Sequence, residues 1–107
     1  MLMGEILNQS ASAVYTPPIA RGGKTGMLSV DMLQVSSTSV TLTIDVEHKN
    51  LSDTTWVSLT SFTNLTAVSM GTVQANDLKE QVRLKFTLNG ASTDWVRVFI
   101  LPVSWMD

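Results

Sequence analysis

Residues 40–49 decide the fold: Val40-Thr41-Leu42-Thr43-Ile44-Asp45-Val46-Glu47-His48-Lys49. Apolar residues take every second position from Val40 to Val46, and polar residues fill the positions between them. Successive side chains of an extended strand point to opposite faces, so this alternation predicts a strand with one buried and one polar face. Such strands are typical of antiparallel sheets that cover a core with one face.

The same two-residue period recurs on both sides of this strand. Residues 27–35 are mostly apolar, and residues 81–88 alternate strictly before an Asn89-Gly90 turn. No stretch carries apolar residues at helical spacing over three turns. Strands about every ten residues between turn clusters predict an all-β, antiparallel β-sandwich of the jelly-roll or immunoglobulin-like type. The other predicted strands are residues 55–62, 65–70, 72–75 and 95–101.

Residues 1–24 differ in composition from the rest of the chain. Pro17-Pro18 enforces an extended backbone, and Gly22-Gly23 permits any turn. The segment therefore indicates an extended N-terminal arm that ends in a flexible elbow, before a β-sandwich domain of residues 25–107. A first edge strand folded onto the chain's own sheet fits the same residues, and both readings stay open. Either way the arm should lie along a surface, because it keeps these apolar side chains: Ile6, Leu7, Val14, Tyr15 and Ile19.

The composition excludes several classes of protein. The 107 residues include no Cys and one His, with 7 Lys and Arg against 9 Asp and Glu. Disulfides, Cys-ligated zinc, iron–sulfur clusters and thiol nucleophiles are therefore excluded. A net charge of -2 lacks the basic footprint of a nucleic-acid binder, and no apolar stretch is long enough for a membrane helix. We expect neither nucleic acid nor a membrane as a partner.

The 12 Ser and 13 Thr are the strongest compositional signal. Thr favours strands and Ser favours turns. A weakly charged surface rich in both indicates extensive contact with other protein, although a secreted β-module has the same composition.

Two short patterns resemble catalytic or nucleotide-binding motifs. Gly23-Lys24-Thr25 matches the end of a phosphate-binding P-loop, but the loop's first Gly would be Pro18, which has no amide hydrogen. His48 at a strand end, with Asp45 and Glu47 on the opposite face, is better explained by one hydrogen bond and cross-strand charge pairing. We therefore expect no enzyme activity, no catalytic residues, no metal and no cofactor.

The three Trp residues suggest carbohydrate binding, because exposed aromatic rings stack on sugar faces. In a domain of this size two of the three should lie in the core or an interface. Trp105 is the best candidate for an exposed contact, since it lies in the apolar tail of residues 102–107. Trp56 and Trp95 are the other two.

Several segments together resemble small β-sandwich virion proteins of tailed bacteriophages, which decorate or cement the capsid or line a tail. They are residues 15–23, residues 42–50, Thr55-Trp56, residues 78–83 and Leu101-Pro102 near Trp105. The resemblance implies a many-copy protein, made in the cytoplasm of the host bacterium and located in the virion. Its partner would be the major capsid protein or another virion protein, and it would form a small homo-oligomer such as a trimer.

With the arm and the absence of a catalytic motif, this resemblance implies a non-enzymatic capsid cement or decoration protein that would bind and stabilise the shell through its arm and sheet surfaces. A Pro-stiffened arm could add a strand to a neighbour's sheet, and Arg21 and Lys24 would meet acidic capsid surface. The alternative is a carbohydrate- or receptor-binding β-sandwich module associated with a tail, which needs Trp56 or Trp105 exposed. The predicted contact residues are Tyr15, Pro17, Pro18, Ile19, Arg21, Lys24 and Trp105.

Overall fold

A computed structural model of the chain describes residues 4–9, 13–37, 40–91 and 93–106. These residues form strands and turns, and none of them is helical, so no helix that could cross a membrane is found among them. The prediction of an all-β chain is confirmed. The strands are β1 (Gly4–Gln9), β2 (Ala13–Tyr15), β3 (Ile19–Ala20), β4 (Thr25–Val35), β5 (Thr41–Lys49), β6 (Val57–Ser61), β7 (Met70–Ala75), β8 (Gln81–Asn89), β9 (Trp95–Ile100) and β10 (Ser104–Met106).

The strands make two antiparallel sheets, which we call the β4 sheet and the β5 sheet. In the β4 sheet, β1 pairs with β9, and β9 and β10 follow one another along one side of β4, with β7 on its other side. In the β5 sheet, β2 and β3 follow one another along β8, which pairs with β5, and β5 pairs with β6. Each sheet is thus four strands wide.

The core lies between the two sheets and follows the alternation in the sequence. β5 and β8 pair without a break from Thr41 opposite Asn89 to Lys49 opposite Gln81. Their inward side chains are nearly inaccessible to water, and Phe86 is the largest of them. Face-to-face packing of these residues buries the apolar area that stabilises the sandwich. The opposing layer from the β4 sheet is Leu28, Val30, Met32, Val96, Val98 and Ile100.

The described parts of the N-terminal segment are edge strands of both sheets. β1 borders the β4 sheet, and the chain then crosses to the β5 sheet, where β2 and β3 border β8. Between β2 and β3, Thr16 bonds to Leu84 of β8 through both its main chain and its side chain. Its amide donates to the Leu84 carbonyl at 3.0 Å, and its hydroxyl accepts from the Leu84 amide at 2.9 Å. Of the two readings that the sequence left open, these residues follow the edge strand, while the boundary at residue 24 stays a prediction.

The chain differs from the predicted strands mainly in two places. Residues 65–70 and 72–75 do not form two strands, because only Met70–Ala75 pairs regularly with β4. The C-terminal tail, in which no strand was predicted, contributes β10. Its three residues pair with the beginning of β4, from Met27 to Thr25, and so continue the line of β9 beyond Pro102.

Candidate functional site

The predicted contact residues lie along one border of the sandwich and at the end next to it. Tyr15, Pro17, Pro18, Arg21 and Lys24 are exposed. Ile19 is half-buried and packs against the core, as does Trp105. Tyr15, Pro17, Pro18 and Ile19 follow one another along the edge of β8. Arg21 and Lys24 follow in the loop between β3 and β4, and Trp105 of β10 lies against that loop.

The loop between β3 and β4 is held in place by residues 78–80. The Arg21 amide donates to the Glu80 carbonyl at 3.0 Å, and the Arg21 guanidinium donates to the carbonyl of Leu78. The carbonyl of Lys24 accepts from the Leu78 amide at 2.8 Å. These bonds hold Arg21 and Lys24 at the rim of an open groove of about 550 Å³, which Gly22 and Gly23 also line.

Trp105 packs against the core next to the loop between β3 and β4. A Cβ atom at Gly22 would lie 2.6 Å from Trp105 Cδ1, and one at Gly26 would lie 3.3 Å from its Cε3. The indole ring therefore packs directly on the main chain at these two glycines. Trp105 is less exposed than the sequence predicts, because its ring lies against Gly22 and Gly26 and packs against the core.

His48 supports the same end of the sandwich from within. Its side chain is buried, with 6% of its surface exposed, and its Nδ1 accepts a hydrogen bond from the Lys79 amide at 3.1 Å. Burial is the main reason that the pKa of His48 is lowered from 6.5. The positive charge of Lys79 lowers it further, and Asp53 opposes both effects. This hydrogen bond agrees with the interpretation of His48 as a structural residue.

Stability should therefore depend on His48 in mildly acidic solution. The unfolded chain binds a proton at this residue below about pH 6.5, whereas the folded chain resists protonation until a lower pH, so the free energy of unfolding should fall as the pH drops through that range. His48→Asn keeps an acceptor for the Lys79 amide and should remove this part of the slope. Urea unfolding of both proteins between about pH 5 and about pH 8 measures it. Identical slopes would contradict the assignment.

A row of aromatic and cationic side chains crosses the outer face of the β5 sheet. The Arg83 guanidinium lies 4.2 Å from the ring centre of Tyr15 and 4.4 Å from that of Trp56. Its Nε donates to Glu47 Oε1 at 2.7 Å, as their direct pairing between β8 and β5 allows. We call Tyr15, Arg83 and Trp56 the Tyr15–Arg83–Trp56 row. Lys49 lies 5.4 Å from the Trp56 ring and so lengthens the row at one end.

The sequence analysis did not predict this row, although it could have predicted the contact between Glu47 and Arg83. Aligning the alternating strands β5 and β8 brings Glu47 opposite Arg83, a cross-strand pair of opposite charge. Tyr15 and Trp56 could not be placed in the same way, because they come from distant parts of the chain. Asp45, on the same face, accepts a hydrogen bond from Ser61 at 2.5 Å.

No cluster of three or more His, Asp or Glu residues that could hold a metal ion is present within the described parts of the chain. Comparison of the sequence with protein-family models and with curated proteins, and of the structure with solved structures, finds no match.

Proposed function

We propose that the two sheets form a jelly roll. Counting β2 with β3 as one strand, and β9 with β10 as one, leaves eight strands in chain order. Their order is then 1-8-3-6 in the β4 sheet and 2-7-4-5 in the β5 sheet, which is supported by the observed pairings. Two interleaved Greek keys of this kind are common in viral capsid proteins and lectins.

On this basis we propose that the protein is a non-enzymatic structural protein of a phage virion, a cement or decoration protein that binds the shell. The observation that carries the proposal is the exposed border that Tyr15, Pro17 and Pro18 form along β8 and that Arg21 and Lys24 continue in the following loop. Hydrogen bonds within the chain hold this border in place, so docking would cost little ordering entropy. Many such weak contacts on a repeating shell would sum to firm attachment.

The shell would then be bound by a border that is paired within the chain, and not by a free arm. The residues that could have paired with a neighbour's sheet pair instead with β8 and β9 of their own chain. Contact with the major capsid protein, or another virion protein, would then use side chains of the border. Lys24 and Arg21 would face acidic groups of that partner.

The test is the composition of phage particles from the strain that encodes the chain. The 11.7 kDa chain should band with density-purified particles in many copies, and particles without it should lose their DNA at a lower temperature. Adding back the purified protein should restore the heat resistance, the Lys24→Glu variant should restore less, and Lys24→Arg should match the native chain. A chain that stays in the soluble fraction would overturn the proposal.

The Tyr15–Arg83–Trp56 row favours a second candidate, a carbohydrate- or receptor-binding module. Tyr15 is 45% exposed and could stack on a sugar ring, with the Arg83 guanidinium beside it as a hydrogen-bond donor. A glycan array probed with the native chain and with Tyr15→Ala tests this. Binding that Tyr15→Ala abolishes would support it. An array without signal, or with signals that Tyr15→Ala leaves unchanged, would reject it.

A further inference from the structure

The segment that forms one border of the sandwich contains no charged residue. None of the 7 Lys and Arg or the 9 Asp and Glu falls in residues 54–76, which hold β6, β7 and their connection. β6 is the outer strand of the β5 sheet, and β7 is the outer strand of the β4 sheet. Phe62 and Leu65 of the connection approach β7 closely, since a Cβ atom at Gly71 would lie 3.2 and 3.4 Å from their side chains. We call this border the neutral edge.

Of its two strands, β7 is the one suited to accept another strand. β6 is interrupted by a bulge, because the pairing steps from Thr60 opposite Val46 to Ser58 opposite Glu47. β7 pairs with β4 without a shift through all six residues. No other strand of the described residues pairs with β7. An edge strand directs about half of its main-chain amides and carbonyls away from its one partner, where a further strand can bind them.

The neutral edge lacks the features that usually prevent strand pairing. Natural edges are protected by Pro, by Lys or other charges, or by bulges. The opposite border has such protection, with Pro17-Pro18 between β2 and β3 and Glu5 in β1. β7 has neither Pro nor charge. Its first residue, Met70, is 61% exposed, and Val68 just before it is 59% exposed, so apolar surface adjoins the open hydrogen-bonding groups.

We propose that β7 pairs antiparallel with β7 of a second copy of the chain, so that the two β4 sheets join across a twofold axis. An uncharged strand can meet its own copy without like-charge repulsion, and it gives no charge by which to select a different partner. A twofold contact is self-complementary, and antiparallel strands satisfy that symmetry. If the twofold axis passes through Thr72 or Val73, the side chains on the outer face of one β4 sheet lie opposite those on the outer face of the other. The same holds for the side chains that face the core.

This pairing also covers the apolar side chains beside the strand. The two β6 edges and the two connections come to the same side of the joined sheet, so Val68 of each copy approaches the other copy. The inference concerns the chain alone and does not depend on binding to a shell. It deepens the expectation of a homo-oligomer by naming the contact strand and the symmetry.

The test is a pair of variants at Thr72, the exposed residue near the middle of β7. Thr72→Lys places like charges near the twofold axis, whereas Thr72→Val keeps a β-branched, uncharged residue. Both lose the hydroxyl contact to Ser29 at 3.2 Å, so they are matched in that respect. Ala13→Lys puts the same charge on the exposed β2 edge at the opposite border.

Sedimentation velocity of the full chain over a range of concentrations gives the outcome. The native chain, Thr72→Val and Ala13→Lys should reach a species of twice the 11.7 kDa mass. Thr72→Lys should dissociate at least about tenfold more readily, and added salt should partly restore its dimer by screening the charges. Circular dichroism checks its fold. If Thr72→Lys is misfolded, Met70→Glu, at an exposed position of the same strand, takes its place.

Three results would overturn the proposal. They are a native chain that stays monomeric at every concentration, an oligomer that the folded charge variants leave intact, and an oligomer that Ala13→Lys disrupts as strongly as Thr72→Lys. Hydrogen exchange gives a second readout, since the β7 amides should become more protected as the concentration of the native chain rises. Protection that does not change with concentration would also count against the pairing.

Discussion

A chain that lacks residues 1–24 should fail to fold, because these residues supply an edge strand to each sheet. Without β1 the main-chain groups of β9 lose their partners on one side, and without β2 and β3 those of β8 do. Thr16 is 3% exposed, and Val14 and Ile19 pack against the core. The free energy of unfolding of a domain of this size is only about 5–15 kcal/mol. Loss of these strands should lower it by more than that.

Far-UV circular dichroism and thermal unfolding measure the effect of this truncation. The truncated chain should show neither the β-sheet spectrum nor the cooperative unfolding of the full chain. A synthetic peptide of residues 1–24, added in trans, should restore both, and a scrambled peptide of the same composition should not. Cooperative unfolding of the truncated chain at the temperature of the full chain would show that residues 1–24 are a dispensable arm after all.

The central strands could be predicted because their pattern is local. β5, β8 and β9 each bury every second side chain, and that period is visible in any short window of the sequence. The core therefore contains Ile44, Phe86 and Val98 on the faces where the alternation places them. Local periodicity also allowed the choice of a β-sandwich over a helical fold.

The borders of the sheets could not be predicted in the same way. β2, β3 and β10 have two or three residues each, too few for a period to show. Their positions depend on pairing with β8 and β4, strands far away in the sequence. Pro17-Pro18 predicts extended backbone, but extended backbone fits an arm and an edge strand equally well. The choice between them depends on nonlocal hydrogen bonds such as those of Thr16 to Leu84.

The Gly22-Gly23 pair has a physical reason in the structure that differs from the one the sequence indicates. These glycines were interpreted as a flexible elbow, since Gly permits any turn. Neither has a left-handed backbone in the structure. They are needed for space, because β10 passes so close to the loop that a side chain would have no room. The sequence contains no signal for this close approach, because Gly23 and Met106 are far apart in the chain.

Gly23→Ala should therefore detach the C-terminal strand. The added Cβ would overlap the main-chain carbonyl oxygen of Met106 and lie 3.2 Å from its carbonyl carbon. A main-chain atom cannot move aside by changing rotamer, so β10 must shift and carry Trp105 away from Gly26. Overpacking of this kind costs about 1–3 kcal/mol. The midpoint of thermal unfolding should fall by about 4–8 °C for each kcal/mol.

Fluorescence and a matched glycine variant separate this mechanism from a general loss of stability. In Gly23→Ala the emission should shift to longer wavelength and become easier to quench, because Trp105 gains contact with water. In a Trp105→Phe background the same substitution should leave the emission of the other two Trp unchanged. Gly71→Ala is the control, since its nearest atoms are side-chain carbons of Phe62 and Leu65 at 3.2 and 3.4 Å, which can yield. If Gly71→Ala destabilises the chain as much as Gly23→Ala, or if Trp105 stays shielded, close approach of β10 is not the reason for the glycine.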